Sequence, residues 1–157
     1  MAREMLVRLR FSNEVADTVE ALIRQHMYVA DPDLSDAALR RFIRRVGPAR
    51  LDRQFALRAA DIAGSGLPKR DDSNERFQAR VFEELGRKPP FSVADLRISG
   101  SDVVEAMIAK GLADENFRGD ARVGAALQHL FEQVTEQPGR NQPDTLRALL
   151  DEYLGGF

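Results

Sequence analysis

The densest group of residues that could do chemistry is a run of arginines between Arg40 and Arg58. This stretch holds seven arginines and a single acid, Asp52. Guanidinium groups are permanently charged and donate paired hydrogen bonds to phosphate oxygens, so this density is typical of a surface that meets a nucleic-acid backbone. The candidate nucleic-acid-binding residues are Arg40, Arg41, Arg44, Arg45, Arg50, Arg53 and Arg58.

The charge of the chain is unevenly distributed along its length. The formal net charge is −2, but residues 1–80 hold 15 Lys and Arg against 12 Asp and Glu, whereas residues 81–157 hold 8 against 13. The first half, at +3, is therefore the half that would attract phosphate. The alternative is a solvated helix face whose arginines pair with acids of the same half, namely Asp36, Asp52 and Asp61.

Composition excludes several classes of site. The chain has no cysteine, which excludes disulfides, cysteine-ligated zinc and a cysteine nucleophile. The N-terminal residues MAREMLVRLR interrupt every apolar run with charge, so we expect neither an export signal nor a membrane span. A cytoplasmic protein is the default expectation.

Turn chemistry and apolar spacing predict an all-α fold of about seven helices in two packed subdomains. No segment shows the period-two alternation of a half-buried strand. The predicted helix caps are Ser12, Ser35 and Ser101, Ser73 is predicted to open a further helix, and Gly47-Pro48 and Gly86 are stop signals. The Pro89-Pro90 pair predicts a boundary, with body helices over 1–88, a tail subdomain over 91–154 and a frayed end at 155–157.

The same spacing assigns side chains to helix faces. After Ser12, one buried face is predicted for Val15, Val19, Leu22, Ile23 and His26. After Ser35, the buried face comprises Leu39, Phe42, Ile43 and Val46, which leaves Arg40, Arg41, Arg44 and Arg45 in two rows on the opposite face. A third helix, from about Ala49 to Ala63, is predicted to turn Leu51, Phe55, Ala59 and Ile62 inward.

Several segments together resemble a known family. They are RLRFSNEV, SDAALRRFIRRVGPARLDRQFALRAADIAGSG, FSVADLRISGSDVVEAM, VGAALQHLFEQV and PGRN, and the most specific is RRFIRRVGP followed by FALRAAD. In content and order they are similar to the helical C-terminal half of bacterial CCA-adding tRNA nucleotidyltransferases and related poly(A) polymerases. The loop from Ala113 to Asp120 departs from the family, because it is longer and more acidic than the expected turn.

The resemblance implies that the chain binds tRNA or another structured RNA. In such enzymes Mg²⁺ and CTP or ATP belong to a polymerase-type head upstream, which we expect this chain to lack. Asp114 and Glu115 are adjacent and would point to opposite faces of a strand, so they do not form a two-metal site. We therefore expect no catalytic residue and no cofactor in this chain, with a separately encoded head or a homodimer as possible partners.

Some family members also carry a phosphohydrolase site in which His and Asp hold a metal. His26 in LIRQHM and Asp61 in RAAD resemble two of its ligands, but the His-Asp doublet that would supply others is missing, and a metal needs three or four. Three interpretations stay open: an RNA-binding body, a residual metal-dependent phosphohydrolase, and a helical scaffold or dimerisation module. The last would use apolar residues of the first helix, Met5, Leu6 and Leu9.

Overall fold

A computed structural model describes residues 2–66 and 71–156 and confirms the all-α class. This described part contains eight α-helices, three short 3₁₀ helices and no strand. It divides into two compact units, unit 1 ending at Arg87 and unit 2 beginning at Lys88. The division falls next to the Pro89-Pro90 pair that marks the boundary in the sequence. No helix within the described ranges is long and apolar enough to span a membrane.

The helices of each unit follow the turn residues closely. Unit 1 comprises α1 (Ala2–Arg8), α2 (Asn13–Gln25), α3 (Asp36–Val46), a 3₁₀ turn (Pro48–Arg50), α4 (Leu51–Gly64) and α5 (Ser73–Gly86). Unit 2 comprises a 3₁₀ turn (Val93–Asp95), α6 (Gly100–Ala109), α7 (Ala121–Glu136), a second 3₁₀ turn (Pro138–Arg140) and α8 (Pro143–Leu154).

The N-caps of α2 and α3 are the predicted serines. The Ser12 hydroxyl accepts a hydrogen bond from the Val15 amide at 3.3 Å, and the Ser35 hydroxyl accepts one from the Ala38 amide at 3.2 Å. Each serine thereby satisfies an amide that has no partner within the helix. Gly47 ends α3 with φ of 88°, a conformation that favours glycine. Helix α3, which carries four of the seven candidate arginines, is thus defined locally at both ends.

One predicted helix start is confirmed and one predicted cap is wrong. Helix α5 begins at Ser73 as predicted, with Asp72 at the cap position. Helix α6 begins two residues earlier than predicted, with Ser99 rather than Ser101 as its cap. The reason is a capping box: Asp102, three residues after Ser99, accepts hydrogen bonds from the Ser99 amide at 2.8 Å and hydroxyl at 2.5 Å. Ser101 has a valine at the corresponding position.

The two serines provide a matched pair for measuring the cap. Ser99→Ala is expected to lower the free energy of unfolding of unit 2 by about 1 kcal/mol, the usual cost of losing a serine N-cap. Ser101→Ala, on the exposed surface of the first turn, should change it by less than about 0.5 kcal/mol. Urea denaturation followed by circular dichroism measures both. Equal effects would contradict the assignment of Ser99 as the cap.

Two capping carboxylates make the stability of unit 2 depend on pH. Hydrogen bonds from the Ser92 side chain and the Phe91 and Ser92 amides hold the pKa of Asp95 below its ordinary 3.8. Hydrogen bonds from the Ser99 side chain and amide do the same for the pKa of Asp102. Because these pKa values are lower in the folded state, their stabilisation is full above 3.8 and lost as the pH falls through the folded values. The urea concentration at the unfolding midpoint should therefore decrease as the pH is lowered from about 5 to about 2. The decrease should be smaller in Ser99→Ala, which lacks one of the hydrogen bonds to Asp102.

The core of unit 1 is built around aromatic rings. Phe42 of α3, Phe55 of α4 and Phe77 of α5 are buried and pack against one another with centroid separations between 5.0 and 6.2 Å. Tyr28, from the loop before α3, contacts all three. Phe82 extends the group, 5.5 Å from Phe55. Offset and edge-on ring pairs of this kind stabilise a core beyond their buried area.

Two predicted buried faces are only partly buried. On α2 the buried residue is Ala16, whereas Val15 and Ile23 are 40% and 44% exposed. On α4 Leu51 and Phe55 are buried, but Ala59 is exposed and Ile62 is half-buried. Apolar spacing predicts which side chains share a face, but how much of the face is covered depends on neighbouring elements. Both helices are therefore covered over only part of their length.

Unit 2 has an aliphatic core of its own. Val103 and Met107 of α6 pack with buried side chains of α7 and α8, together with Leu96 and Ile98 from the preceding loop. The buried residues of α7 and α8 within this core are Ala126, Leu130, Phe131, Val134, Leu146, Leu150 and Leu154. Asn141 connects the loops, because its side-chain amide donates to the Asp95 carbonyl at 2.9 Å and its oxygen accepts from the Arg97 amide at 2.9 Å.

Candidate nucleic-acid interface

Arg40 does not lie on the exposed face of α3, contrary to the prediction. It is 6% exposed, and its Nη1 donates to Oε1 of Glu84 on α5 at 2.5 Å; the Glu84 side chain is 2% exposed. The prediction failed because α5 packs against the edge of α3 that bears Arg40, so that this edge is interior. An arginine held in a buried ion pair contributes to packing and is not available to phosphate.

The buried pair is extended by ion pairs at the start of α3. Arg87 donates to Oε2 of Glu84 at 2.8 Å and to Asp36 at 3.0 Å, and Arg80 donates to Asp36 at 2.8 Å. Burial raises the pKa of Asp36, but the hydrogen bonds and charges of Arg87 and Arg80 outweigh it and hold that pKa below 3.8. The acid expected to pair with the arginine rows of α3 is therefore bound to α5 instead.

Three α3 arginines remain at the surface of unit 1. Arg41 and Arg45 are exposed and Arg44 is half-buried. Spacings of three and four residues make them neighbours on one helix surface. The guanidinium of Arg45 lies 5.6 Å from the centroid of Phe42, and its backbone carbonyl accepts from the Gln25 amide at 3.0 Å. The position of Arg45 is therefore fixed by contacts with the aromatic core and with α2.

Arg50 extends this surface from the next turn. Its Nε donates to the Val46 carbonyl, in the last turn of α3, at 2.8 Å. Its guanidinium also lies against Gly47, where an added Cβ would come within 3.0 Å of Nη2. The φ of 88° at Gly47 is what favours glycine there, and the absence of a side chain leaves room for the guanidinium of Arg50. We call Arg41, Arg44, Arg45 and Arg50 the α3 basic face.

Its position at the end of α3 has an electrostatic consequence. Unpaired carbonyls give a helix C-terminus partial negative charge, and cations there stabilise the helix. Arg44 and Arg45 occupy the last turn, and Arg50 binds one of its carbonyls. These residues thus stabilise the fold of unit 1 whether or not a ligand is present, and only a binding measurement separates the two roles.

The other two predicted arginines differ from each other. Arg53 is exposed in the first turn of α4 and is compatible with the predicted surface. Arg58 lies over the Tyr28 ring at 5.7 Å and pairs with Asp61 at 3.3 Å, with its side chain only 23% exposed. Arg58 is therefore largely committed to the interior of unit 1.

The two candidate metal ligands have other partners. His26 caps the end of α2, where its Nδ1 lies 2.6 Å from the Ile23 carbonyl oxygen. Asp61 accepts from Arg58, which is the pairing that the alternative interpretation of this residue expects. Within residues 2–66 and 71–156, no three His, Asp or Glu side chains are grouped as metal ligands. We make no proposal of phosphohydrolase activity.

The sequence did not identify Glu84 as the buried partner of Arg40 or Tyr28 as part of the aromatic core. Glu84 follows Phe77 and Val81 by seven and three residues, so its spacing puts it on the buried stripe of α5. A charged residue at such a position is itself a signal of a buried partner. Tyr28 gave no periodic signal because it lies in a loop. Burial raises the pKa of Tyr28 to about 12, so its phenol stays neutral at physiological pH.

Models of protein families, curated proteins and solved structures all gave no match.

Proposed function

We propose that unit 1 binds structured RNA, with tRNA as its first candidate, through the α3 basic face and Arg53. The observation that carries the proposal is the concentration of Arg41, Arg44, Arg45 and Arg50 around one helix end, with Arg50 held in place by backbone contacts. The resemblance to the C-terminal half of CCA-adding enzymes supports tRNA as the RNA. The proposal concerns binding and assigns no catalytic residue.

The interface would recognise shape and not sequence. Arginines on a rigid helix contact phosphates at spacings set by the helix, which fixes register without reading bases. A folded RNA presents phosphates in a fixed arrangement, whereas an unstructured strand must be ordered first, at an entropic cost. Salt-dependent binding with a preference for folded RNA is the expected signature.

The salt dependence tests the proposal quantitatively. Each phosphate contact releases a counterion, so three to five arginine contacts predict a slope of log K against log salt concentration of about −2 to −4.5. Fluorescence anisotropy of labelled tRNA, titrated with the full chain at several salt concentrations, gives this slope. A slope near zero, or no binding at low salt, would refute the proposal.

A second candidate function is self-association through the N-terminal helices. Met5, Leu9 and Phe11 are each at least half exposed. Exposed apolar clusters favour association, and the occupant that a dimerisation module requires is a second copy of the chain. Sedimentation at several concentrations tests this candidate. A dimer that Leu9→Lys converts to monomer would support it, and a wild-type monomer at all concentrations would exclude it.

A further inference from the structure

Unit 1 contains a cavity between α4 and α5 that the proposed RNA interface does not use. Its volume is about 350 Å³, and it opens to solvent on one side. The volume lies within the range of small-molecule pockets. None of the four residues of the α3 basic face lines it, so the cavity and the basic face can be tested separately.

The lining combines an apolar floor with polar groups that pair poorly within the fold. Tyr28, Phe55 and Ile62 supply aromatic and aliphatic surface, and the polar groups come from Arg58, Asn74 and Gln78. Among the described residues, two buried atoms of this lining have no hydrogen-bond partner: Nε of Arg58, a donor, and Oδ1 of Asn74, an acceptor. A buried donor or acceptor without a partner destabilises the fold, because it has lost its hydrogen bonds to water without replacing them. A polar ligand that pairs with either atom would recover part of that loss.

The polar groups indicate which chemistry would fit. Asn74 and Gln78 each present a carboxamide, a donor and an acceptor side by side, which pairs with a ring edge bearing an adjacent acceptor and donor. The Asn74 amide turns about a broad terminal torsion, so its orphaned oxygen can be brought to the cavity surface at small cost. The aromatic floor favours a flat partner.

The charges around the cavity disfavour an anion. Glu75 also lines it, and the guanidinium of Arg58 is already neutralised by Asp61 and covered by the Tyr28 ring. Among the described residues of the lining, a phosphate would meet the carboxylate of Glu75 and, as a cation, only Arg58, which is already paired with Asp61. The ligand best matched to the cavity is therefore flat, uncharged and able to both donate and accept on one edge.

We propose that the cavity between α4 and α5 binds an uncharged purine base or nucleoside, with Asn74 and Gln78 contacting its polar edge. This assignment does not depend on RNA binding by the α3 basic face. Adenine carries the required edge, since its N7 acceptor lies beside its N6 amino donor, and its two fused rings offer the aromatic floor more flat surface than a single-ring pyrimidine does. Adenosine is therefore the probe used in the test.

The test is a titration of the ¹⁵N-labelled full chain with adenosine, followed by amide chemical shifts. We expect saturable changes confined to residues around the cavity on α4, α5 and the Tyr28 loop. Asn74→Leu and Gln78→Leu remove a carboxamide while roughly keeping volume, and each should weaken adenosine binding by about tenfold, the equivalent of one good hydrogen bond. Gln128→Leu, which removes an exposed amide in unit 2, should have no effect.

Three results would overturn the assignment. The first is the absence of saturable shifts with adenosine. The second is that indole binds as tightly as adenosine and that its binding is unchanged in Asn74→Leu and Gln78→Leu. The third is that adenosine monophosphate binds and adenosine does not. The second would make the cavity a plain apolar cleft, and the third would make it a phosphate site. The two leucine variants act at different positions, and circular dichroism confirms that each is folded. Loss of RNA binding by Arg41→Glu with retained adenosine binding would show that the two sites are separate.

Discussion

Replacement of Glu84 by leucine is expected to lower the free energy of unfolding of unit 1 by about 3–5 kcal/mol. The change leaves the Arg40 guanidinium, 6% exposed, without its 2.5 Å partner. A buried charge that loses its counterion pays its desolvation cost without compensation. Urea denaturation followed by circular dichroism, with amide signals of unit 1 observed by NMR, measures the effect.

Two further variants separate the buried pair from ordinary surface electrostatics. Glu83→Leu removes the neighbouring, exposed carboxylate that pairs with Arg87, and should cost less than about 1 kcal/mol. Arg40→Met combined with Glu84→Leu replaces both charges by apolar groups and should recover most of the lost stability. If Glu84→Leu behaves like Glu83→Leu, or if the double variant is no more stable than the single one, the buried pair does not have the role assigned to it.

Charge reversal on the α3 basic face has the second large expected effect. Arg41→Glu with Arg45→Glu should weaken tRNA binding by about 100-fold at low salt, because two phosphate contacts are replaced by repulsion. The slope of log K against log salt should become shallower by about 1.4–1.8, since each of the two lost contacts removes about 0.7–0.9. Both arginines are exposed, so we expect unit 1 to remain folded at a cost of about 1 kcal/mol for the lost cation at the end of α3, which circular dichroism checks. Anisotropy titrations at four salt concentrations give affinity and slope together.

The control has the same change in net charge at another place. Arg118→Glu with Arg147→Glu alters two exposed arginines of unit 2 and should change affinity by less than about threefold, the long-range effect of net charge alone. The comparison separates a local interface from general attraction to RNA. Equal losses in the two double variants would contradict the α3 basic face as the interface. Arg40→Met with Glu84→Leu should retain RNA binding, because Arg40 is interior.

Local signals predicted much of the fold. Ser12, Ser35 and Gly47 act through bonds and torsions within a few residues, so their roles could be predicted from sequence. Ser99 was missed although its signal was local too. Asp102, three residues later, completes a capping box with Ser99, and the prediction did not use that spacing. The aliphatic core of unit 2 followed from periodicity, since one face of each helix is clearly apolar.

What the sequence could not predict depends on contacts between distant segments. The burial of Arg40 requires Glu84, 44 residues later, and the packing of α5 against that edge of α3. The cavity between α4 and α5 is lined on α4 by small residues such as Ala59, whose side chains are too short to fill it. Tyr28, in a loop without a periodic pattern, could not be recognised as part of the core. Helical spacing correctly predicted that Arg41, Arg44 and Arg45 share one surface. It could not show that Arg40 is interior.

The most direct test of the central claim is a competition between two RNAs of equal length, a deacylated tRNA and an unstructured strand, for the wild-type chain at physiological salt. The account predicts a preference for tRNA of at least about tenfold, which decreases as salt rises and is lost in Arg41→Glu with Arg45→Glu. Equal binding of both RNAs, or a preference that survives charge reversal, would contradict recognition of folded RNA by the α3 basic face.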